Sequence, residues 1–227
     1  MSEFSASLDS LWAVQKHDKQ LVRERERVAK AARDLAAEQA KVDAGAAKLE
    51  QEREKLRLLK KQHKDLEGEL QRLDSRVKQL EAQGTEKGTE AAAKQRANID
   101  EMETEGLDLL AQISAQEGEV EKFQEALRLR NEALLAATRT TGEQTRTAEE
   151  AIEKATGERH GAAGQVVPEL LSVYDEVNAR HPGNALCHIE GEFCAGCQGA
   201  LNSQLTMQVR ARREILRCPN CARILDA

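Results

Sequence analysis

An aliphatic heptad repeat in the N-terminal part of the chain constrains its fold more than any other feature. One heptad position is aliphatic at eight of its nine occurrences, and no proline interrupts residues 4–83. The nine residues are Leu21, Val28, Leu35, Val42, Leu49, Leu56, His63, Leu70 and Val77. A seven-residue repeat places these side chains on one face of a helix, and that face needs a partner helix to cover it. The pattern predicts a long helix in a coiled coil.

A polar stretch that contains two glycines, residues 83–89, follows this helix. Glycine next to polar residues is typical of a helix end, and we expect Thr89 to cap a second helix. That helix carries its own heptad series, and a glycine cluster predicts that it frays after about Glu158. The series is Ile99, Gly106, Ile113, Val120, Leu127, Leu134, Thr141, Ala148 and Ala155. The short turn favours an antiparallel hairpin, and the alternative is that each helix pairs with a copy of itself.

The composition also favours long helices over a compact globule. Charged residues make up 33% of the 227 residues and aromatic residues 2%. A compact domain of this length needs more large apolar side chains for its core. The predicted fold class is therefore mainly α, and the net charge of −6 is unlike that of a general nucleic-acid binder.

Two C-x-x-C pairs near the C-terminus predict a metal site. The pairs are Cys194/Cys197 and Cys218/Cys221, and the spacing between them is typical of zinc modules. Four thiolates close a tetrahedral shell, which predicts one structural Zn²⁺ and leaves no open position for catalysis. Iron in the same shell and a redox-active C-x-x-C remain alternatives.

These patterns predict three segments along the chain. Residues 1–160 form an antiparallel coiled-coil hairpin with its turn near 83–89. Residues 161–182 form a linker and a short helix, which begins at Pro168 because proline suits the first helical turn. Residues 183–227 form a small zinc ribbon, which is too short for a hydrophobic core of its own and relies on the metal.

Other candidate residues have structural interpretations. Cys187 lies in a short apolar run and is interpreted as a buried thiol, and His188 finds no vacancy among four cysteines. His63 interrupts the aliphatic heptad position and is interpreted as a residue that sets the register. The sequence holds no motif for phosphate binding, hydrolase nucleophiles or zinc proteases, so we predict no catalytic residue, no enzyme and no small-molecule substrate.

Four arginines between the cysteine pairs are candidate contacts for a partner: Arg210, Arg212, Arg213 and Arg217. Arginine binds phosphates and carboxylates in a bidentate manner, so this segment fits either a nucleic acid or an acidic protein surface. The alternative is a solvated face of a strand or helix.

The sequence also predicts a cytoplasmic location. The N-terminal residues lack the basic and then apolar pattern of a signal peptide, and no apolar run is long enough to span a membrane. Five cysteines, four of them in metal spacing, fit a reducing compartment better than a disulfide framework.

The C-terminal part resembles a family of bacterial coiled-coil proteins that end in a C4-type zinc ribbon. The resemblance rests on the helix segment Leu170-Leu171-Ser172-Val173-Tyr174, the pair Cys194-Ala195-Gly196-Cys197 and the run from Ile215 through Cys218-Pro219-Asn220-Cys221 to Leu225. Two residues depart from the family pattern: Ala222 stands where a glycine is usual, and Asp226 where an aromatic residue often follows.

The resemblance implies an adaptor or regulator. Some members of the family bind the alternative sigma factor RpoN and influence flagellar gene expression, and RNA binding has been proposed for the family. We therefore predict a non-enzymatic zinc-binding adaptor that binds another macromolecule, a protein of the transcription machinery such as a sigma factor. The alternatives are an RNA- or DNA-binding regulator that uses the four arginines, and a structural coiled-coil spacer.

Overall fold

The chain is mainly α, as predicted, with two long helices and a small strand-containing region at its C-terminal end. A computed structural model describes residues 3–227, with side chains from Ser5 onward. The elements in chain order are α1 (Glu3–Ala82), α2 (Glu86–Ala163), α3 (Pro168–Arg180), β1 (Leu186–Glu190), β2 (Phe193–Cys194), α4 (Ser203–Ala211), β3 (Leu216–Arg217) and β4 (Ile224–Asp226). Within the described residues, no helix is both long and apolar enough to cross a membrane.

The turn between the long helices lies inside the predicted segment, but the predicted cap residue is wrong. Gly84 adopts the left-handed conformation, with φ of 65°, and α2 begins two residues later. The Thr85 hydroxyl accepts a hydrogen bond from the backbone N–H of Gly88 at 3.2 Å, so Thr85 caps the helix. Thr89 lies inside the first turn, where its hydroxyl donates to the carbonyl of Glu86 at 2.8 Å.

The C-terminal end of α2 also differs from the prediction. The helix continues past Glu158 to Ala163 and includes Gly161. Glycine costs a helix about 1 kcal/mol relative to alanine, which tertiary contacts can offset. One such contact is the bond from Arg159 Nε to Asp18 Oδ1 at 2.7 Å, which anchors the last turns of α2 to α1.

The chain divides into two compact units. The first, here called the helix-pair unit, is Ala36–Ala137, and the second, the ribbon-bearing unit, comprises residues up to Leu35 together with Thr138–Ala227. This division follows the packing of the chain, whereas the three predicted segments follow sequence order. The boundaries of those three segments remain a prediction.

In the helix-pair unit the two helices run antiparallel and bury the predicted heptad positions. Earlier residues of α1 contact later residues of α2. Lys60 pairs with Glu117, whereas the carbonyl of Lys41 contacts Arg130. His63 is half-buried in the heptad row, and its role in setting the register remains a prediction. The buried aliphatic heptad residues of this unit are Val42, Leu49, Val77, Ile113 and Val120.

One buried carboxylate interrupts the apolar contacts of the helix-pair unit. The Glu52 side chain is 7% exposed and accepts a hydrogen bond from Gln116 Nε2 at 2.8 Å. The ammonium groups of Lys48 and Lys55 lie 2.9 and 3.0 Å from the same carboxylate. The hydrogen bond from Gln116, followed by those from the two lysines, lowers the pKa of Glu52 to about 2.

The ribbon-bearing unit has a core that helices and strands build together. Leu11 of α1, Tyr174 of α3 and Ile224 of β4 are all fully buried in one cluster. Leu170 and Val177 are buried beside Tyr174, so one face of α3 packs into this cluster. The ribbon therefore gains hydrophobic stabilisation from the helices in addition to its metal.

A four-stranded sheet in the order β2-β1-β4-β3 forms the ribbon. Strands β1 and β4 are parallel, whereas β2 and β3 pair antiparallel with their neighbours. Helix α4 lies between β2 and β3 in the chain, and Asn202 caps it by accepting the Leu205 N–H at 2.6 Å.

Candidate metal centre

The two cysteine pairs form turns of the same kind. In the first, Gln198 N–H donates to the Cys194 carbonyl at 2.7 Å, and in the second, Ala222 N–H donates to the Cys218 carbonyl at 2.8 Å. Gln198 and Ala222, the residues that follow each pair, both adopt the left-handed conformation, with φ of 58° and 60°. This conformation explains why a glycine is usual at the position of Ala222.

The four sulfur atoms are spaced as a tetrahedral zinc site requires. All four lie within 4.8 Å of one another, with Cys194 Sγ to Cys221 Sγ at 3.9 Å and Cys197 Sγ to Cys218 Sγ at 3.7 Å. A regular tetrahedron with Zn–S bonds of about 2.3 Å has sulfur–sulfur edges of about 3.8 Å. The four thiolates therefore fit one zinc ion, and they would occupy all of its coordination positions.

The protonation of these thiols connects metal binding to pH. Burial raises the pKa values of Cys194 and Cys218 to about 12. Burial also acts to raise the pKa of Cys221, but hydrogen bonds from the Arg223 backbone and from the Cys197 and Cys218 thiols lower it to about 7. Zinc must therefore displace protons from the two most buried thiols when it binds at neutral pH.

Comparison with known proteins agrees with this geometry. Residues 194–225 match a family model described as a C4-type zinc ribbon domain. Together with the clustered sulfurs, this match confirms the predicted cofactor, one structural zinc ion held by a zinc ribbon. No curated protein matches the chain significantly.

Several solved structures share the fold of the whole chain. CT398 from Chlamydia trachomatis is 23% identical and superimposes with a TM-score of 0.86 over 98% of both chains. HP0958 from Helicobacter pylori is 16% identical, with a TM-score of 0.65 over 97% of both chains. A protein from Mycobacterium smegmatis is 17% identical, also with a TM-score of 0.65 over 97% of both chains. At these identities the similarity concerns the fold alone.

Side chains outside the four cysteines support the two turns. Arg223 donates from Nε to the Asn184 carbonyl at 2.9 Å and from a terminal nitrogen to the Gly196 carbonyl at 2.8 Å. The Asn220 side chain packs against Gly199 so closely that a Cβ at position 199 would lie 2.1 Å from Asn220 Nδ2. A larger residue at position 199 would therefore require the Asn220 side chain to move, a contact that sequence spacing does not reveal.

Cys187 and His188 both lie beside the metal centre without joining it. Cys187 is buried, as predicted, with its sulfur 3.4 Å from Cys194 Sγ, and among the described residues the four-cysteine cluster excludes it. The His188 ring stacks on Trp12 of α1, with ring centroids 4.2 Å apart and planes 16° from parallel.

The four candidate arginines do not form one exposed patch. Arg210 and Arg213 are exposed. Arg212 instead bonds from Nε to Asp226 Oδ1 at 2.9 Å and from a terminal nitrogen to Asp9 at 2.7 Å. Arg217 pairs with a carboxylate of α3, Glu176, at 2.9 Å. A role for these arginines in partner binding remains a prediction.

Sequence reasoning missed a polar cluster that holds the ribbon against α1. Asp226 is only 2% exposed and accepts hydrogen bonds from Trp12 Nε1 at 2.7 Å and from Arg212. Gln15 adds a paired contact with the Leu186 backbone, accepting its N–H at 2.6 Å and donating to its carbonyl at 2.9 Å. The sequence signals were the only tryptophan of the chain and an aspartate where an aromatic residue is usual.

A second buried carboxylate joins the helices of the same unit. Asp18 accepts hydrogen bonds from the Tyr174 hydroxyl at 2.8 Å and from Arg159 at 2.7 Å. Burial raises the pKa of Tyr174 well above its usual range, and the bond to Asp18 adds to the effect. This network joins α1, α2 and α3 beneath the ribbon core.

Proposed function

We propose that this chain is a non-enzymatic adaptor of the cytoplasm whose zinc ribbon presents a rigid surface to another macromolecule, a protein of the transcription machinery. The observation that carries the proposal is the closed shell of four sulfurs. With every coordination position taken by protein, the zinc stabilises the fold and has no site left to activate water. Five free cysteines suit a reducing compartment.

The exposed side chains of the ribbon support a protein partner. Phe193 is 50% exposed and Met207 is 66% exposed, although both are large and apolar. Arg210 and Arg213 are exposed in the same domain. Aromatic residues, methionine and arginine are enriched in protein interfaces, so this composition favours binding to a protein surface. A sigma factor as the partner follows from the family resemblance.

The experiment is a binding titration between the zinc-loaded full-length protein and purified RpoN. Replacing Phe193 and Met207 together by alanine should weaken binding by about tenfold or more, because large apolar side chains are frequent hot spots. The matched control replaces two exposed leucines of the helix-pair unit, Leu107→Ala and Leu135→Ala, which are 68% and 55% exposed. Weakening by the leucine changes alone would place the contact on the helix pair, and no binding by the intact protein would exclude RpoN as the partner.

The second candidate function is binding to RNA or DNA, supported by the exposure of Arg210 and Arg213. Arg212 and Arg217 would first have to leave their carboxylate partners. Binding through phosphates weakens steeply with salt, and each lost phosphate contact reduces the salt slope by about 0.7 to 0.9. This candidate would be contradicted if the affinity for a nucleic acid changed neither with salt concentration nor in the Arg210→Ala/Arg213→Ala variant.

A further inference from the structure

A cleft between helix α1 and the ribbon combines an aromatic stack with uncompensated positive charge. It has a volume of about 390 Å³, within the range of small-molecule sites. Its lining residues include Trp12 and Lys19 of α1, and His188, Gly196 and Arg223 of the ribbon. All of them belong to the ribbon-bearing unit.

The aromatic stack offers a flat surface to a ligand. Trp12 is held in place because its indole N–H is bonded to Asp226 and its ring lies against His188. His188 is exposed and Trp12 covers one face of its ring, so a ligand would stack on the opposite face. An aromatic ring that stacks on this face would extend an existing two-ring stack, and such platforms bind bases of any sequence.

Positive charge lies next to the stack. Lys16, Lys19 and Arg23 are exposed and follow Trp12 at helical spacing on α1, where they line an adjoining cleft of about 560 Å³. None of the three has a carboxylate partner among the side chains that the structure describes. Arg223 adds a guanidinium that two backbone carbonyls hold in place.

Two of the nearby carboxylates are already paired with other cations. Asp226 is paired with Arg212, and Glu24, at the far end of the adjoining cleft, is paired with Arg27. Lys16, Lys19 and Arg23 are therefore available to an anionic ligand, although the chain as a whole carries a net charge of −6.

The geometry points to a binding site for a nucleotide, in which the base stacks on His188 and the phosphates contact Lys16, Lys19 and Arg23. A ring and a phosphate in one ligand match the two chemical features that the clefts bring together. The nucleotide can be free or can be the terminal residue of a single strand, and both carry this chemistry. The site uses none of the four candidate arginines, so it stands apart from the proposed adaptor function.

Trp12 provides the measurement, because it is the only tryptophan in the chain. We would titrate the zinc-loaded full-length protein with ATP, a 5′-phosphorylated tetranucleotide, pyrophosphate and adenosine, and follow tryptophan fluorescence. Saturable binding of ATP or of the tetranucleotide is expected, and the tighter of the two identifies the source of the ligand. Pyrophosphate and adenosine should each bind about tenfold more weakly or worse, because each lacks one of the two contacts. Equal affinity for pyrophosphate and ATP, or no saturation by either nucleotide at millimolar concentration, would overturn the proposal.

Two pairs of lysines on the same helix give a matched comparison. Lys16→Ala/Lys19→Ala should weaken nucleotide binding by about tenfold, the loss expected for a charge-assisted hydrogen bond. Lys61→Ala/Lys64→Ala changes the same charge at the same spacing, on exposed residues of the helix-pair unit, and should leave affinity unchanged. Equal weakening by both pairs would show that only net charge matters and would refute the site.

His188→Ala tests the stacking contact separately, by calorimetry, because this change alters the fluorescence of Trp12 itself. Since His188 is exposed, the variant should fold and keep its zinc, and nucleotide affinity should fall by about fivefold or more. Unchanged affinity in a folded, zinc-loaded variant would refute stacking on this ring.

Discussion

Replacing Gly183 by alanine tests how closely helix α1 approaches the start of the zinc ribbon. Gly183 has a φ of +69°, and a Cβ at this position would lie 3.0 Å from Lys19 Cα and 3.2 Å from Lys19 N. These are backbone atoms of a helix, so they cannot move aside as a flexible side chain would. Gly183→Ala therefore combines a strained backbone conformation with a steric overlap.

A second glycine of the ribbon separates the two effects. Gly191 has nearly the same φ, +64°, but a Cβ there would meet nothing within 4 Å. Left-handed conformation costs alanine about 1–2 kcal/mol, partly offset by the lower entropy of its unfolded chain, so Gly191→Ala should lose about 1 kcal/mol. Overpacking adds about 1–3 kcal/mol, so Gly183→Ala should lose about 2–4 kcal/mol of unfolding free energy.

Urea unfolding of the zinc-loaded protein, followed by Trp12 fluorescence, measures this difference. Trp12 lies on α1 and stacks on His188 of the ribbon, so its signal reports the unit that contains both glycines. Zinc content should be equal in the two variants, which excludes loss of metal as the cause. Equal losses of free energy in Gly183→Ala and Gly191→Ala would refute the close approach of α1 to the ribbon.

Three further perturbations address the metal turns and the buried glutamate. Ala222→Gly should increase the free energy of unfolding by about 0.5–1 kcal/mol, because glycine adopts the left-handed conformation without strain. The urea midpoint should rise accordingly, and a lower midpoint would contradict this. Cys194→Ser combined with Cys218→Ser should abolish zinc binding in metal analysis, and retained stoichiometric zinc would refute the four-thiolate site. The pKa of Glu52 is lowered from 4.5 to about 2, so its contribution to stability is present above pH 4.5 and is lost as the pH falls towards 2. Thermal unfolding should therefore show a smaller loss of stability over this pH range in Glu52→Gln, and an identical loss would contradict the assignment.

The long helices and the metal site were predictable from local patterns. Heptad spacing identified both helices because apolar residues that recur about every 3.5 residues indicate a helix, wherever its partner helix lies. The cysteine pairs identified the cofactor because the C-x-x-C spacing brings the two thiolates of each pair together, and two such pairs at this separation are typical of zinc sites. The end of α2 was predicted wrongly, because the contact that holds it, between Arg159 and Asp18, joins residues far apart in the sequence.

The contacts of the arginine segment and of Asp226 could not be predicted from spacing. Arg212 looked like a solvent-exposed partner contact, yet it is bound to Asp226 and to Asp9 of α1. The departure at position 226 was visible in the sequence, but its meaning depends on Trp12, which lies at the other end of the chain. Pairing between such distant residues appears only when the fold is known.

The alternation of side chains in the ribbon sheet explains how so short a domain is stabilised. Successive residues of a strand point to opposite faces. In β1, Leu186 joins the core shared with the helices and Cys187 joins the core around the metal, and in β4, Ile224 and Leu225 divide in the same way. The sheet therefore separates two cores. The metal stabilises one of them, and contacts with the helices stabilise the other. A ribbon of this length would rely on its zinc if it stood alone, but some of its apolar side chains, among them Leu186 and Ile224, are also buried against the helices.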